Sequence, residues 1–208
     1  IGSRYHEQVP FLLELVRDDT FNNLHLYLIH GGRDRPVNPE SIPVYATNDP
    51  DDPAPKLAQA QQEVLTGNFV GAISILRPLI EAHPELAEAH AKLGFALLAD
   101  GLHKEVPAWD RQLSKSAMDH ADVWVVRGGY AQSLDQPAVA IRCYWEAVRR
   151  DPNNMKSCLP LARLLSEEEG ESEAAKTFRK RVETLKEFSM LIDNKKVRRE
   201  AADLRQNA

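Results

Sequence analysis

The chain has 208 residues, 43% of them hydrophobic and 27% charged, with a formal net charge of −5. Such a composition suits a soluble globular protein of one or two domains. It excludes wholesale binding of nucleic-acid phosphates, which needs a concentrated basic face, and no apolar run approaches the roughly 18 residues required to cross a bilayer. The chain opens Ile1-Gly2-Ser3 without a methionine, so it is expected to be a processed or excised piece of a longer protein. A missing signal peptide then says nothing about the parent's compartment. A cytoplasmic setting is only slightly favoured over an exported one.

Residues 1–52 read as an N-terminal extension. VPFLLELV suits a short helix with Phe11, Leu12, Leu15 and Val16 on one side. LHLYLIHGG is ambiguous. Alternation of Leu24, Leu26 and Leu28 suggests a strand, whereas the acidic entrance Asp18-Asp19-Thr20 and the stop Gly31-Gly32 favour a helix. HGGRD, residues 30–34, is read as a turn, since proline follows it and no helix opens behind it. Six prolines, Pro36, Pro39, Pro43, Pro50, Pro53 and Pro55, then fall close together. Proline fixes φ and removes a backbone donor, so this stretch is expected to be extended and to mark a boundary.

From residue 53 a period of 34 takes over, with windows at 53–86, 87–120, 121–154 and 155–188. One slot holds Ala72, Val106, Ala140 and Ala174, and four residues later stand Leu76, Asp110, Tyr144 and Phe178. The eighth slot is always small: Ala60, Gly94, Gly128 and Ala162. A mid-window turn carries Gly67, Gly101, Asp135 and, one place later, Gly170, and Pro84 and Pro152 close the first and third windows. Each window is expected to form two antiparallel helices too small to bury their apolar faces alone, so neighbours must stack. Gly94 and Gly128 permit close approach, and Trp124 and Tyr144 are expected to fill the volume between helices. Asn153-Asn154 should cap the next helix. Pro137 and Pro107 fall in first turns, where a missing amide is harmless. Pro78 is expected to kink its helix, and Pro160 to shift the next helix start to about Leu159. Residues 189–208 read as a charged C-terminal capping helix. Its basic run Lys195-Lys196-Val197-Arg198-Arg199 is read as a solvated face in preference to an acidic-partner patch, and Glu167 to Glu173 as an exposed turn.

Little chemistry is visible. Cys143 and Cys158 are read as buried free thiols, with a disulfide between neighbouring helices as the alternative. The histidines lack metal-ligand spacing, and no nucleophile, phosphate-loop or dinucleotide motif occurs. No catalytic, cofactor or metal site is therefore expected, and the chain is not expected to be an enzyme, unless it is the accessory region of one whose catalytic domain lies elsewhere.

Trp124, Gly128, Ala140, Tyr144 and Pro152, with Leu93, Gly94 and Leu97 one window earlier, resemble the tetratricopeptide repeat (TPR) family, whose pattern is W-x2-L-G-x2-Y, A-x3-F and P in 34 residues. Arg127 stands where leucine is usual, His90 where tryptophan is usual, and Asp110, beside Trp109, where an aromatic is usual. The second helix of the second window departs most. The resemblance covers about two-thirds of the chain. It implies an all-α fold: a right-handed α-solenoid of about four stacked helix-turn-helix repeats, with the N-terminal extension and the C-terminal capping helix. It also implies an inner groove lined by the first helices. The corresponding slots are Leu57, Gln61, Val64 and Leu65; Glu88, Ala91, Phe95 and Leu98; Asp122, Val125, Gly129 and Gln132; and Leu159, Arg163 and Ser166. That lining is unusually apolar, and contiguous apolar surface marks contacts. Leu57, Gln61 and Val126 stand where a clamp for peptide carboxylates would want Lys, Asn and Arg. Such a clamp is rejected, although Lys92 and Arg163 are placed to meet an anionic group. The expectation is a scaffold or adaptor binding a peptide or helix of another protein. The alternative is a self-masked structural or regulatory module whose groove is covered by residues 1–52. The partner is unknown, neither nucleic acid nor membrane insertion is expected, and a homo-oligomer is left open.

Overall fold

The computed structural model describes residues 52–170 and 172–193, with side chains to Lys186 apart from that of Glu169. The readings made on residues 1–51 and 194–208 lie outside the described residues. Among the described residues all regular structure is helical: α1 Pro53–Leu65, α2 Phe69–Ala82, α3 Ala87–Ala99, α4 Val106–Arg111, α5 Lys115–Met118, α6 Ala121–Ser133, α7 Pro137–Arg150, α8 Met155–Glu169 and α9 Glu173–Asp193. The chain forms two compact units, Ile1–Leu79 and Ile80–Ala208, and the division falls within α2.

In the first unit, the Asp52 carboxylate caps α1 by accepting from the Ala54 amide at 2.9 Å. Asn68 does the same before α2, accepting from the Gly71 amide at 3.1 Å while donating to Glu63 at 2.6 Å. Ala60, Ala72, Ile73, Leu76 and Leu79 are buried. Helix α2 runs through Pro78.

Every helix pair turns on one left-handed residue: Gly67 at φ 80°, Gly101 at 77°, Asp135 at 55° and Gly170 at 66°. This conformation ends a helix by letting the following amides bond back to its last carbonyls. Accordingly the amides of Asn68, Leu102 and Gln136 return to Glu63, Leu97 and Ala131 at 2.8–3.0 Å. Glycine adopts it without a Cβ penalty, and aspartate is among the few other residues that tolerate it.

The second unit is a stack of helical hairpins. Within hairpins α3 packs on α4, α6 on α7 and α8 on α9; between hairpins α3 packs on α6, α7 on α8 and α6 on α8. Small residues set the closest approaches. A Cβ on Gly94 would lie 2.5 Å from the Trp109 ring, and one on Gly128 would lie 2.7 Å from the Tyr144 ring. Below these, Leu161, Leu165, Phe178 and Val182 continue the core between α7, α8 and α9. A second regularity ties each first helix to the loop before it. The fourth slot holds His90, Trp124 and Cys158, and each side chain reaches the backbone carbonyl six residues earlier. His90 Nε2 lies 3.0 Å from the Pro84 oxygen, Trp124 Nε1 donates to Met118 at 2.8 Å, and Cys158 Sγ to Pro152 at 3.5 Å. A carbonyl only accepts, so His90 carries its proton on Nε2. His90 thus supplies a ring N–H donor in the slot where the family pattern has tryptophan.

Several local expectations are corrected. Helix α8 starts at Met155, not near Leu159, because Asn154 caps it, its side chain accepting from the Lys156 amide at 3.0 Å. Pro160 sits inside α8 and removes only one early intrahelical bond. Trp124 does not fill the core. It is half-buried, with Arg127 and Arg150 over its ring at 4.5 and 4.7 Å. The buried indole is Trp109, 3% exposed and donating to the His90 carbonyl at 2.9 Å. In the second window the second helix stops after six residues, and the chain restarts as α5, where Ser114 accepts from the Ala117 amide at 3.2 Å. Residues Glu167–Glu169 belong to α8 and Glu173 opens α9, so both ends of the acidic run are helical and not an exposed turn. Helix α9 runs unbroken across 188/189 to Asp193. Both cysteines are free thiols, Cys143 half-buried and Cys158 buried, and burial pushes the pKa of each upward.

Candidate partner-binding site

The first helices of the second unit, α3, α6 and α8, carry most of the slots assigned to an inner groove. Their apolar members divide by exposure. Phe95 is 44% exposed and Leu159 47%, far more than aromatic and leucine side chains with neighbours on all sides. Leu98 and Val125 are half-buried. Leu98 lies against Gly129, its Cδ1 3.3 Å from where a Cβ would be, and Val125 packs on the core cluster. Ala91 is 4% exposed and is part of the packing between helices.

The polar members are engaged within the protein. Glu88 pairs with Lys92 at 3.3 Å. Asp122 accepts from the Asn154 amide nitrogen at 2.6 Å and faces the Lys156 ammonium at 3.4 Å, which ties one repeat to the next. Burial pushes the Asp122 carboxyl up, but Lys156, Asn154 and His120 outweigh it and hold its pKa below the ordinary value. Gln132 Oε1 accepts from the Tyr144 hydroxyl at 2.6 Å. Burial of that phenol raises its pKa to about 12. Arg163 is exposed, with Glu167 at 3.7 Å, and Ser166 donates to the Ala162 carbonyl at 2.9 Å while accepting from Arg179 at 3.3 Å. On α1, in the first unit, Leu57, Gln61 and Val64 are half-buried and Leu65 is 49% exposed.

This arrangement presents apolar contact surface with its hydrogen-bonding capacity largely spent internally. Among the described residues no group of three or more His, Cys, Asp or Glu is placed to hold a metal ion, and no helix is long and apolar enough to cross a membrane. Asp122 ties its repeat to the next through Lys156 and Gln132 ties α6 to α7 through Tyr144, which the sequence alone does not reveal, since these partners lie 34 and 12 positions apart.

No family model and no curated protein matches the sequence. Solved structures do match. MamA residues 41-end from Desulfovibrio magneticus RS-1 aligns with 88% of this chain and 98% of its own, at 18% identity and a TM-score of 0.50. A crystal structure of MamA aligns at 15% identity over 81% of this chain and 96% of its own, with a TM-score of 0.54. YrrB, described as a TPR protein with an unusual peptide-binding site, aligns at 18% identity over 71% of this chain and 75% of its own, with a TM-score of 0.52. At such identities the likeness speaks for architecture. The helices starting at Ala87, Ala121 and Met155, the left-handed turns and the small-residue contacts agree with it, and the chain has the all-α helical-repeat fold of tetratricopeptide-repeat proteins.

Proposed function

We propose that this protein is an interaction scaffold that holds an apolar segment of another protein, a peptide or a helix, against its first helices. One observation carries the reading: Phe95 and Leu159 are 44% and 47% exposed on the first helices of a repeat stack whose polar side chains there are paired internally. Burying the exposed half of each side chain on a partner contributes about 0.7–1.5 kcal/mol, whereas the paired polar groups offer little further binding energy. YrrB, with its peptide-binding site on the same fold, supports the reading by analogy.

The test is retention of proteins from an extract of the source organism by the intact chain and by a Phe95→Asp/Leu159→Asp variant whose helicity is unchanged by circular dichroism. A partner kept by the first and lost by the second supports the scaffold reading. Equal retention by both overturns it.

A further inference from the structure

The second helices carry a separate feature. In the third repeat Trp145 leaves α7 and meets Phe178 of α9 edge-on, with centroids 4.9 Å apart. The matching residue one repeat earlier is Arg111, where α4 ends after six residues. No ring stands in that slot, and a cleft of about 380 Å³ opens between α4 and α7. Val106 and Pro107 of α4, Leu134 beyond α6 and Val139 of α7 make its walls apolar. Its volume falls in the range of sites that enclose small molecules, which are mostly apolar with a few polar groups.

Charge at the cleft cancels. Asp110 lines it together with Arg111 and Arg127, and is bonded to Arg127 at 2.6 Å. Asp135, exposed between the lining residues Leu134 and Gln136, offsets Arg111. The surroundings therefore favour neither a carboxylate nor an ammonium. Polarity of another kind is left over. The side chains of Arg111, Tyr130 and Gln136 line the cleft and make no hydrogen bond or ion pair among the described residues, unlike Asp122 and Gln132 on the first helices. Each can donate to a neutral acceptor. Two guanidinium groups, one of them already stacked on Trp124, and the Cys143 thiol also favour a ring over an aliphatic chain. Cations attract the face of an aromatic, and sulfur its edge.

We infer that the cleft between α4 and α7 is a binding site, separate from the first-helix surface, for a small neutral aromatic molecule that carries a hydrogen-bond acceptor. The probe is prodan, a neutral naphthyl ketone whose emission moves to the blue on leaving water. Alkylation of Cys143 by N-ethylmaleimide, read separately from Cys158 by mass spectrometry, reports where prodan sits. Binding should saturate and should slow alkylation of Cys143. Val139→Trp, which fills the cleft, should weaken it about tenfold or more. If that variant misfolds, Leu134→Asp decides: the residue is 47% exposed, and a carboxylate against the ring should cost about fivefold or more. Arg111→Gln should cost about two- to fivefold through the lost cation. Phe95→Asp/Leu159→Asp should leave prodan binding unchanged, so the two surfaces survive or fail separately. Five results each overturn the inference. They are no saturable binding by about 0.1 mM prodan, equal competition by the saturated decalin ketone, tighter binding of naphthoate than of the neutral ketone, loss of binding only in the first-helix variant, and competition by a short Trp-containing peptide about tenfold better than by the free ring, which would assign the cleft to a polypeptide.

Discussion

The adjacent glycines Gly128 and Gly129 should respond to the same substitution with opposite signs. In a helix interior Gly→Ala stabilises by about 1 kcal/mol through backbone entropy, and both residues lie inside α6. At Gly129 the new methyl would meet the Tyr144 hydroxyl at an ordinary 3.9 Å and Leu98 Cδ1 at 3.3 Å, the far end of a half-buried side chain that yields by a few tenths of an ångström. Gly129→Ala should therefore be neutral or stabilise by up to about 1 kcal/mol. At Gly128 the methyl would stand 2.7, 2.8 and 3.0 Å from three atoms of the Tyr144 ring, where carbon atoms prefer about 3.5–4.0 Å. That ring is 3% exposed and its hydroxyl is held by Gln132 at 2.6 Å, so it has nowhere to retreat without losing the bond. Overpacking of this kind costs about 1–3 kcal/mol, and the lost hydrogen bond about 0.5–1.5. After the helix-propensity gain, Gly128→Ala should be destabilised by roughly 1–3 kcal/mol, or a fall in Tm of about 2–10 °C for a chain of this size. Thermal and urea unfolding, followed by circular dichroism, measure both variants. If both shift in the same direction by similar amounts, close approach at Gly128 is not what limits this position, and the packing argument is wrong.

The remaining expectations concern single groups. Asp135→Gly, at φ 55°, should stabilise by up to about 1 kcal/mol, while Gly101→Ala, at φ 77°, should cost about 1–2, both read from urea midpoints. Tyr144→Phe should cost about 0.5–1.5 kcal/mol at neutral pH through loss of the bond to Gln132. The raised phenol pKa adds a sign: the unfolded tyrosine ionises first, so the native protein should lose stability as pH climbs from about 10 to about 12, and the Phe variant should lack that decline. For Asp122, whose folded pKa is lowered, the stabilisation is present above the unfolded value of about 4 and is lost as pH falls through the lower folded value. Asp122→Asn should flatten that acid limb of the stability curve, measured by urea unfolding at stepped pH.

The repeat period was legible because it rests on residues with few substitutes. A left-handed turn wants Gly or Asp, and a helix crossing at contact distance wants Gly or Ala, so Gly67, Gly101, Asp135, Gly94 and Gly128 announce their places directly. The tryptophans did not. Trp124 sits in the family's most conspicuous slot yet stays half-buried between two arginines, whereas Trp109, one slot away from the expected aromatic, fills the space over Gly94. A six-residue α4 followed by a capped restart at Ser114 changes which residue faces inward, and that depends on where a helix stops. Of the groove slots, the sequence identified Phe95 and Leu159 as apolar and left their exposure open. It gave no sign that Asp122 and Gln132 are spent on Asn154, Lys156 and Tyr144.

The fourth slot shows what kind of rule the sequence pattern encodes. Compared by side-chain type, histidine, tryptophan and cysteine share little, and His90 counts as a departure. By the bond each makes, the three are one position: a donor aimed at the carbonyl six residues back, closing the loop between successive hairpins. These bonds are part-buried, so removing the donor costs about 0.5–1.5 kcal/mol, the net worth of an ordinary hydrogen bond. Trp145 and Arg111 occupy equivalent slots, but only Trp145 has a ring to place against the next repeat. Repeats that bond alike on one side can therefore differ on the other, and it is there that a repeat protein has room to acquire a surface its neighbours in the stack do not have.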